Sequence, residues 1–510
     1  MTRKLTTKKL LFTGLLSCFW VTPLLADSFQ PPISIPAGIS PRGVGVGNVY
    51  GRGTHSLVVA NFGSSTFIGQ TTPATLLNPQ NSTLQIFSPS PAGLILTQTI
   101  QAAPSPRGVF LFDLSGKGRQ EILVTGYDAN VLQVFSWEKG QFVKTAEETT
   151  GKMPVGVTAG LTRRGGTPFA AVANYGSNTL SLFKVEAGKF LQKLDVSVAE
   201  GPAQIAIGDM NGDGINEIAA VCLPAHKILI LSKAPGSKDD DLSSYSVSKT
   251  INLGDGSSPS DLRVGDLNGD GKADLVAADF TKNLIYIFFQ NSDGTLSAQF
   301  SLSTSGEHPN GLTVADLFGT GEKEIIVANR DSDSIDIFQM KNGQYQLSQT
   351  LKVTDEPAAS FGPIEIGVID ANGQGKLSLV ASHMRSNSLR VLNQTAGGNS
   401  SAMVFKSAAG EGAAPFSEKT TFCYPNPSKD GKVKFTFSLL APSAVNIRIF
   451  DVRGEVVWSQ NLSPSQTNSG INVLNWEGVN QAGESLASGL YLYSIKVGEK
   501  TVTKKVNIIH

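Results

Sequence analysis

The chain has 510 residues, 40% apolar, 8% aromatic and 16% charged, so several domains of ordinary size are expected, not one. Its 42 Lys and Arg balance 42 Asp and Glu, which leaves no polybasic surface to neutralise nucleic-acid phosphates or dock on an anionic membrane. With 53 Gly and 25 Pro the composition suits a turn-rich β protein and excludes disorder throughout.

At the N-terminus Arg3, Lys4, Lys8 and Lys9 precede an apolar run from Leu10 to Leu25. This pattern predicts a secretory signal peptide over residues 1–26, cleaved after Ala26. Pro23 interrupts the run, which is shorter than the roughly 20 residues of a membrane span, and a retained anchor or a lipidated Cys18 are the alternatives. Cleavage removes four of the 42 basic residues and no acidic one, so the mature chain is mildly acidic. Cys222 and Cys423 are left about 200 residues apart, which gives no disulfide framework. Cys222 follows an apolar run and reads as a small buried hydrophobe.

One unit then recurs seven times. It is clearest where Gly208-Asp209-Met210-Asn211-Gly212-Asp213-Gly214 matches Gly265-Asp266-Leu267-Asn268-Gly269-Asp270-Gly271, and weaker copies begin at Asn48, Asp113, Gly160, Asp316 and Asp370. A period near 50 residues, with four short strands per unit and no helical periodicity, predicts a seven-bladed β-propeller over residues 27–395. The segment from Phe29 to Ala37 is placed like a fourth strand, while the seventh unit stops after Ser388–Leu392. The N-terminal strand is therefore expected to complete the last blade and close two open β edges. Residues 64–80 read as a Thr/Pro-rich insertion in blade one, and residues 396–420 as a flexible linker. In residues 421–510 the alternation at Val433, Phe435 and Phe437, at Val445, Ile447 and Ile449, and at Tyr491, Tyr493, Ile495 and Val497 predicts a small Ig-like sandwich. The expected fold class is all-β.

Through the Asp-x-Asn-Gly-Asp-Gly turn and the apolar strand after it, the repeats resemble FG-GAP/VCBS units, the propeller units of integrin α-chain heads and of many bacterial exported proteins. Tyr424-Pro425-Asn426-Pro427, Ile449-Phe450-Asp451-Val452-Arg453-Gly454, Ala487-Ser488-Gly489-Leu490-Tyr491 and the closing Lys504-Lys505-Val506 resemble the type IX secretion C-terminal sorting domain and its FlgD-like Ig relatives. The resemblance implies export across an outer membrane, with the tail as an address for the secretion machinery.

Two turns place oxygen-bearing residues at loop positions 1, 3, 5 and 9: Asp209, Asn211, Asp213 and Glu217, and Asp266, Asn268, Asp270 and Asp274. With the carbonyls of Ile215 and Lys272 at position 7 they suit Ca²⁺, a hard cation, and Gly214 and Gly271 permit the sharp turn. Position 12 is Ala220 or Ala277, so these are hairpin loops and not EF-hands. A metal-free turn held by Asx hydrogen bonds is the alternative, and it is the favoured reading in the other blades, whose ligand sets are incomplete. Extracellular calcium modules bind at roughly 10⁻⁴–10⁻³ M, so each loop would add about 0.4–1.4 kcal/mol at about millimolar Ca²⁺.

The five His are scattered, and no nucleophile elbow, zincin motif or P-loop occurs. The expected function is therefore non-covalent recognition of a protein or glycan at or beyond the cell surface, by a secreted protein without enzymatic activity. An exported carbohydrate-active enzyme, its carboxylates converging from different blades, is the alternative. The expected ligand face lies opposite the calcium turns and presents Arg42, Arg107, Asn310, Asn61, Tyr127, Asn174, Tyr175, Asp279, Asn329, Arg330 and His383. Arg and Tyr there suit a polar or acidic ligand, and solvated loop tips with Asn in turn positions are the bland alternative.

Overall fold

Every inner strand of the repeat region begins at a proline: Pro41–Gly47, Pro106–Phe112, Pro154–Leu161, Pro202–Gly208, Pro259–Gly265, Pro309–Ala315 and Pro363–Ile369. The proline fixes φ without costing a ladder bond at a strand start, and a register shift follows it in each case. The computed structural model describes residues 29–64, 79–353, 362–395, 416, 421–424, 428, 432–439, 442–467 and 470–509. The expected signal peptide, nearly all of the 64–80 insertion and the expected linker apart from Phe416 lie outside these residues.

Each inner strand pairs with a second strand, such as Ser56–Asn61 or Glu324–Asn329, and two further strands complete a four-stranded antiparallel sheet. Seven such sheets follow one another, and each inner strand packs on the next until Pro363–Ile369 meets Pro41–Gly47. The ring is thus closed. The last sheet is completed from the other end of the repeat region, where Ile33–Pro36 pairs antiparallel with Ser388–Asn393 as Ile33↔Val391 through Pro36↔Ser388. The Gln30 N–H also donates to the Asn393 carbonyl and the Ala37 N–H to that of Asn387.

Among the described residues, the ring's larger apolar clusters are seven wedges, one at each junction between sheets. Leu57, Val59, Val380 and Val391 belong to the wedge between the last blade and the first; Ile325, Val327, Ile285 and Ile287 to that between five and six. A second strand is covered on both faces, which is why it reads as an unbroken apolar run, and all six residues of Glu217–Cys222 are buried. Inner strands of neighbouring blades come so close that a Cβ on Gly43 would lie 2.0 Å from the Arg107 carbonyl oxygen, and one on Gly311 2.3 Å from that of Ile364. Only glycine fits there.

In the tail, Phe422–Tyr424, Val433–Leu439 and Gly470–Trp476 form one sheet, and Val456–Leu462, Val445–Phe450, Gly489–Val497 and Lys500–Ile508 the other. Phe435, Phe437, Ile447, Ile449, Trp476, Tyr493 and Ile495 form their shared core, as period-two alternation requires of a two-sheet sandwich. Among the described residues, no helix is long and apolar enough to cross a membrane.

Candidate functional site

The Asp-x-Asn-Gly-Asp-Gly turns sit at the far end of the inner strands from the prolines. In blade four Asp209 accepts the N–H groups of Gly212 (2.7 Å) and Gly214 (2.9 Å), Asn211 accepts that of Asp213 (2.9 Å), and Asp213 that of Ile215 (2.7 Å). Glu217 is buried and accepts the Met210 N–H (2.9 Å) with one oxygen and the Asn211 amide (2.9 Å) with the other. Burial, reinforced by the nearby Asp213 and Asp209 carboxylates, pushes Glu217 up to about 7. Blade five repeats the pattern through Asp266, Asn268 and Asp270. There Asp274 is turned inward, with its two oxygens accepting the N–H groups of Leu267 (3.0 Å) and Gln290 (2.8 Å), and the Lys272 ammonium lies 3.4 Å from Asp270.

The loops thus carry the Asx hydrogen bonds of a self-supporting turn. Among the described residues, no three His, Cys, Asp or Glu side chains stand together as a preformed metal cluster. The blade-four residues nonetheless carry the oxygens that Ca²⁺ takes, since carboxylate oxygens keep lone pairs after accepting one N–H; the Asn211 amide, which donates to Asp213 (3.1 Å) and Glu217, would give up those bonds to an ion. Asp209, Asn211, Asp213, Glu217 and the Ile215 carbonyl would hold the ion. In blade five Lys272 competes for Asp270, and the fit is poorer.

Blade three, which has no acid in its turn, borrows one. Asp239, from the loop after blade four's third strand, accepts the Thr162 hydroxyl (2.7 Å) and the Thr167 N–H and hydroxyl (both 2.8 Å), and pairs with Arg163 at 3.1 Å. Sequence spacing alone gave no sign of this contact, because the donor and acceptor lie in different blades.

At the proline end, the residues expected to face a ligand divide into two groups. Asn61, Asn174 and Asn329 are buried at the ends of second strands and pack on Gly38, Gly151 and Gly306 of the incoming loops, while their amides donate within the sheet to residues such as Thr83 and Ser181. Asp279 is buried among the Ser257 and Tyr286 hydroxyls and the Ser258 N–H. His383 is buried between Asp333 and Ser386, and Asn310 donates to the Ile364 carbonyl. These groups tie strands and blades together. Arg330 lies over the Phe280 ring at 4.4 Å and pairs with Asp331.

Arg42 and Arg107 form the second group. The Arg42 guanidinium lies 4.2 Å over the Phe62 ring and that of Arg107 5.5 Å over Tyr127, with the two rings 5.7 Å apart and Tyr175 packed beside them. Burial, and then the Arg107 charge, holds Arg42 well below its usual range, and burial lowers Arg107. The Arg107 Nη1 is buried without a hydrogen-bond partner. The two cations thus stand close together, with the Glu365 carboxylate raising Arg107 in opposition to its burial.

A further cluster lies deeper along the axis. Where four blades have glycine two residues after the proline, blades four, five and seven have Gln204, Asp261 and Glu365. The Gln204 amide donates to Glu365 (3.3 Å) across the ring, and Arg263 joins Asp261 to Glu365, at 2.5 and 3.6 Å. Asp261 is buried and also accepts the Leu262 (2.8 Å) and Leu312 (2.7 Å) N–H groups. The cluster is legible only once the seven prolines are aligned. Its carboxylates do converge from different blades, but Arg263 stands between them.

Residues 266–327 match the FG-GAP-like repeat family and residues 423–509 the secretion system C-terminal sorting domain family. The first match spans the calcium-type turn of blade five and runs into the second strand of blade six. No curated protein matches the chain. Similar solved structures include BBS1N in complex with ARL6DN, 14% identical with a TM-score of 0.49 over 74% of this chain and 99% of that one. A Lactobacillus plantarum protein is 16% identical with a TM-score of 0.46, over 62% and 86% of the two chains. A Bacteroides fragilis chain provisionally named a 6-phosphogluconolactonase is 17% identical with a TM-score of 0.43, over 61% and 95%. A repeat propeller joined to a sorting tail of this kind is an exported protein, and its tail is the part that meets the secretion machinery.

Proposed function

We propose that the protein is a secreted or cell-surface binding module, stabilised by calcium and without enzymatic activity, that recognises a protein or glycan ligand at the proline end of its ring. The observation that supports this reading most directly is the pair Arg42 and Arg107, two largely desolvated guanidinium groups side by side over Phe62 and Tyr127. A rigid aromatic bed under arginine is the composition of a recognition hot spot. The signal peptide delivers the chain to the periplasm with cleavage after Ala26, and the tail directs it onward.

The test is attachment of the mature protein to its native cell surface and to a glycan array. Replacing Arg42 and Arg107 together by Ala is expected to weaken binding at least about tenfold, the scale of one or two charge-assisted hydrogen bonds, while circular dichroism confirms the fold. Unchanged binding of the double variant rejects this face. Turnover of a polysaccharide in the same screen would replace the reading with that of a carbohydrate-active enzyme.

Calcium enters as a clip on blades four and five. Adding millimolar Ca²⁺ is expected to raise the melting temperature by a few degrees, and EDTA to reverse it without unfolding the ring at room temperature, in keeping with about 0.4–1.4 kcal/mol per loop. Asp209→Ala should remove most of the shift, and calorimetry showing none in the unaltered protein would reject calcium stabilisation.

A further inference from the structure

Blade one has exchanged its metal-type residues for different chemistry. Loop positions 3 and 5, which are Asn and Asp in blades four and five, are Tyr50 and Arg52 here. The Tyr50 ring meets Trp137 of blade two edge to face at 4.7 Å and Phe142 at 5.4 Å, and Trp137 meets Phe142 at 5.0 Å. Phe142 is buried and anchors the group, whereas Tyr50 and Trp137 remain half-buried. The Tyr50 hydroxyl is hydrogen-bonded to Thr97 at 2.9 Å, which fixes the ring.

Tyr50 and Trp137 wall a groove of about 450 Å³ whose remaining lining includes Thr54, Ser88 and Gln98, with Arg52 as the one charged residue among the described lining. Arg52 is exposed, its guanidinium 5.9 Å from the centre of the Tyr50 ring. Behind the turn, Arg119 packs against Gly51 and its Nε is buried without a hydrogen-bond partner. The groove is within the size range of small-ligand sites.

We propose that this groove binds an acidic sugar unit, a hexuronate of a polysaccharide. A pyranose ring has an apolar C–H face that an aromatic edge or face can cover, and hydroxyls that match Thr54, Ser88 and Gln98. Its carboxylate answers Arg52 with a charge-assisted bond, supported by the positive field of Arg119. A neutral sugar leaves Arg52 unused, and an acidic peptide side chain leaves the aromatic wall unused. The groove lies at the calcium-turn end of the ring, away from Arg42 and Arg107, so it is a separate site from the proposed recognition face.

The experiment is titration of the mature full-length chain with oligomers of galacturonate, glucuronate and mannuronate, followed by calorimetry and tryptophan fluorescence. Neutral galactose oligomers and oligoglutamate serve as controls. Saturable binding of at least one uronate, at least about tenfold tighter than either control, is expected. Trp137→Ala and Arg52→Met should each weaken it about tenfold, and Arg52, being exposed, should leave the melting temperature unchanged. Failure of every uronate to bind, equal binding of oligoglutamate or neutral oligomers, or full affinity in Arg52→Met would overturn the proposal. Binding that survives Arg42→Ala/Arg107→Ala but not Arg52→Met keeps the two sites distinct.

Discussion

A chain beginning at Ile39, without the strand Ile33–Pro36, is expected to lose most of the ring's stability. The Ser388–Asn393 strand would be left with a bare edge, since its antiparallel partner and the Gln30 and Ala37 backbone bonds are gone. Phe29 packs beside Phe318, and Ile35 on the wedge between the last blade and the first; both are half-buried, so a part of the about 1.5–3 kcal/mol that full burial of each would supply disappears as well. Against a total of about 5–15 kcal/mol for a folded domain, a loss on the order of 5 kcal/mol decides whether the ring folds. Urea titration should show a markedly lower midpoint, and size exclusion should show association through the exposed edge. An unchanged midpoint would mean that the ring does not depend on this closure.

The closing strand was legible because a propeller repeat counts itself: six complete units and one short by a strand, with an unclaimed strand at the far end, leave one arrangement that satisfies the backbone. The tail was legible for a related reason. Phe435, Phe437, Ile447 and Ile449 alternate because each sheet has one wet face and one dry face, and the alternation survives in a single sequence. The candidate sites were harder to read. Arg42 and Arg107 could be placed at the strand starts, but each stacks on a ring just past its own blade's second strand, and the contact that brings Phe62 against Tyr127 crosses a blade boundary. Asn61, Asn174 and Asn329 looked like loop-tip amides, yet each fills the space left by a glycine of another loop. Asp239 and Trp137 act across blade boundaries, where spacing along the chain carries no signal.

Arg263→Met is expected to be among the most destabilising single substitutions in the ring. Arg263 is the cation between two carboxylates, and Asp261 is fully buried while Glu365 keeps only 14% of its side chain exposed. Removing one partner of a buried ionic group costs about 3–5 kcal/mol because the others stay desolvated and uncompensated. Arg263 itself is about one-third exposed, so the lower part of that range, about 3 kcal/mol, applies. The loss should depend on pH. Burial, and then repulsion by Asp261, pushes Glu365 up to about 8 from its ordinary 4.5, so the folded ring holds a proton that the unfolded chain has released. The contribution of Glu365 to stability therefore falls as pH rises from about 4.5 to about 8, and without the Arg263 charge, which holds Glu365 down, the fall continues to higher pH. Asp261→Asn and Glu365→Gln added to Arg263→Met should restore most of the stability and flatten its pH dependence. Denaturant midpoints for the single and triple variants at pH 5 and pH 8 decide the matter: if Arg263→Met were as stable as the unaltered protein at pH 8, the axial charges would not be coupled through this arginine.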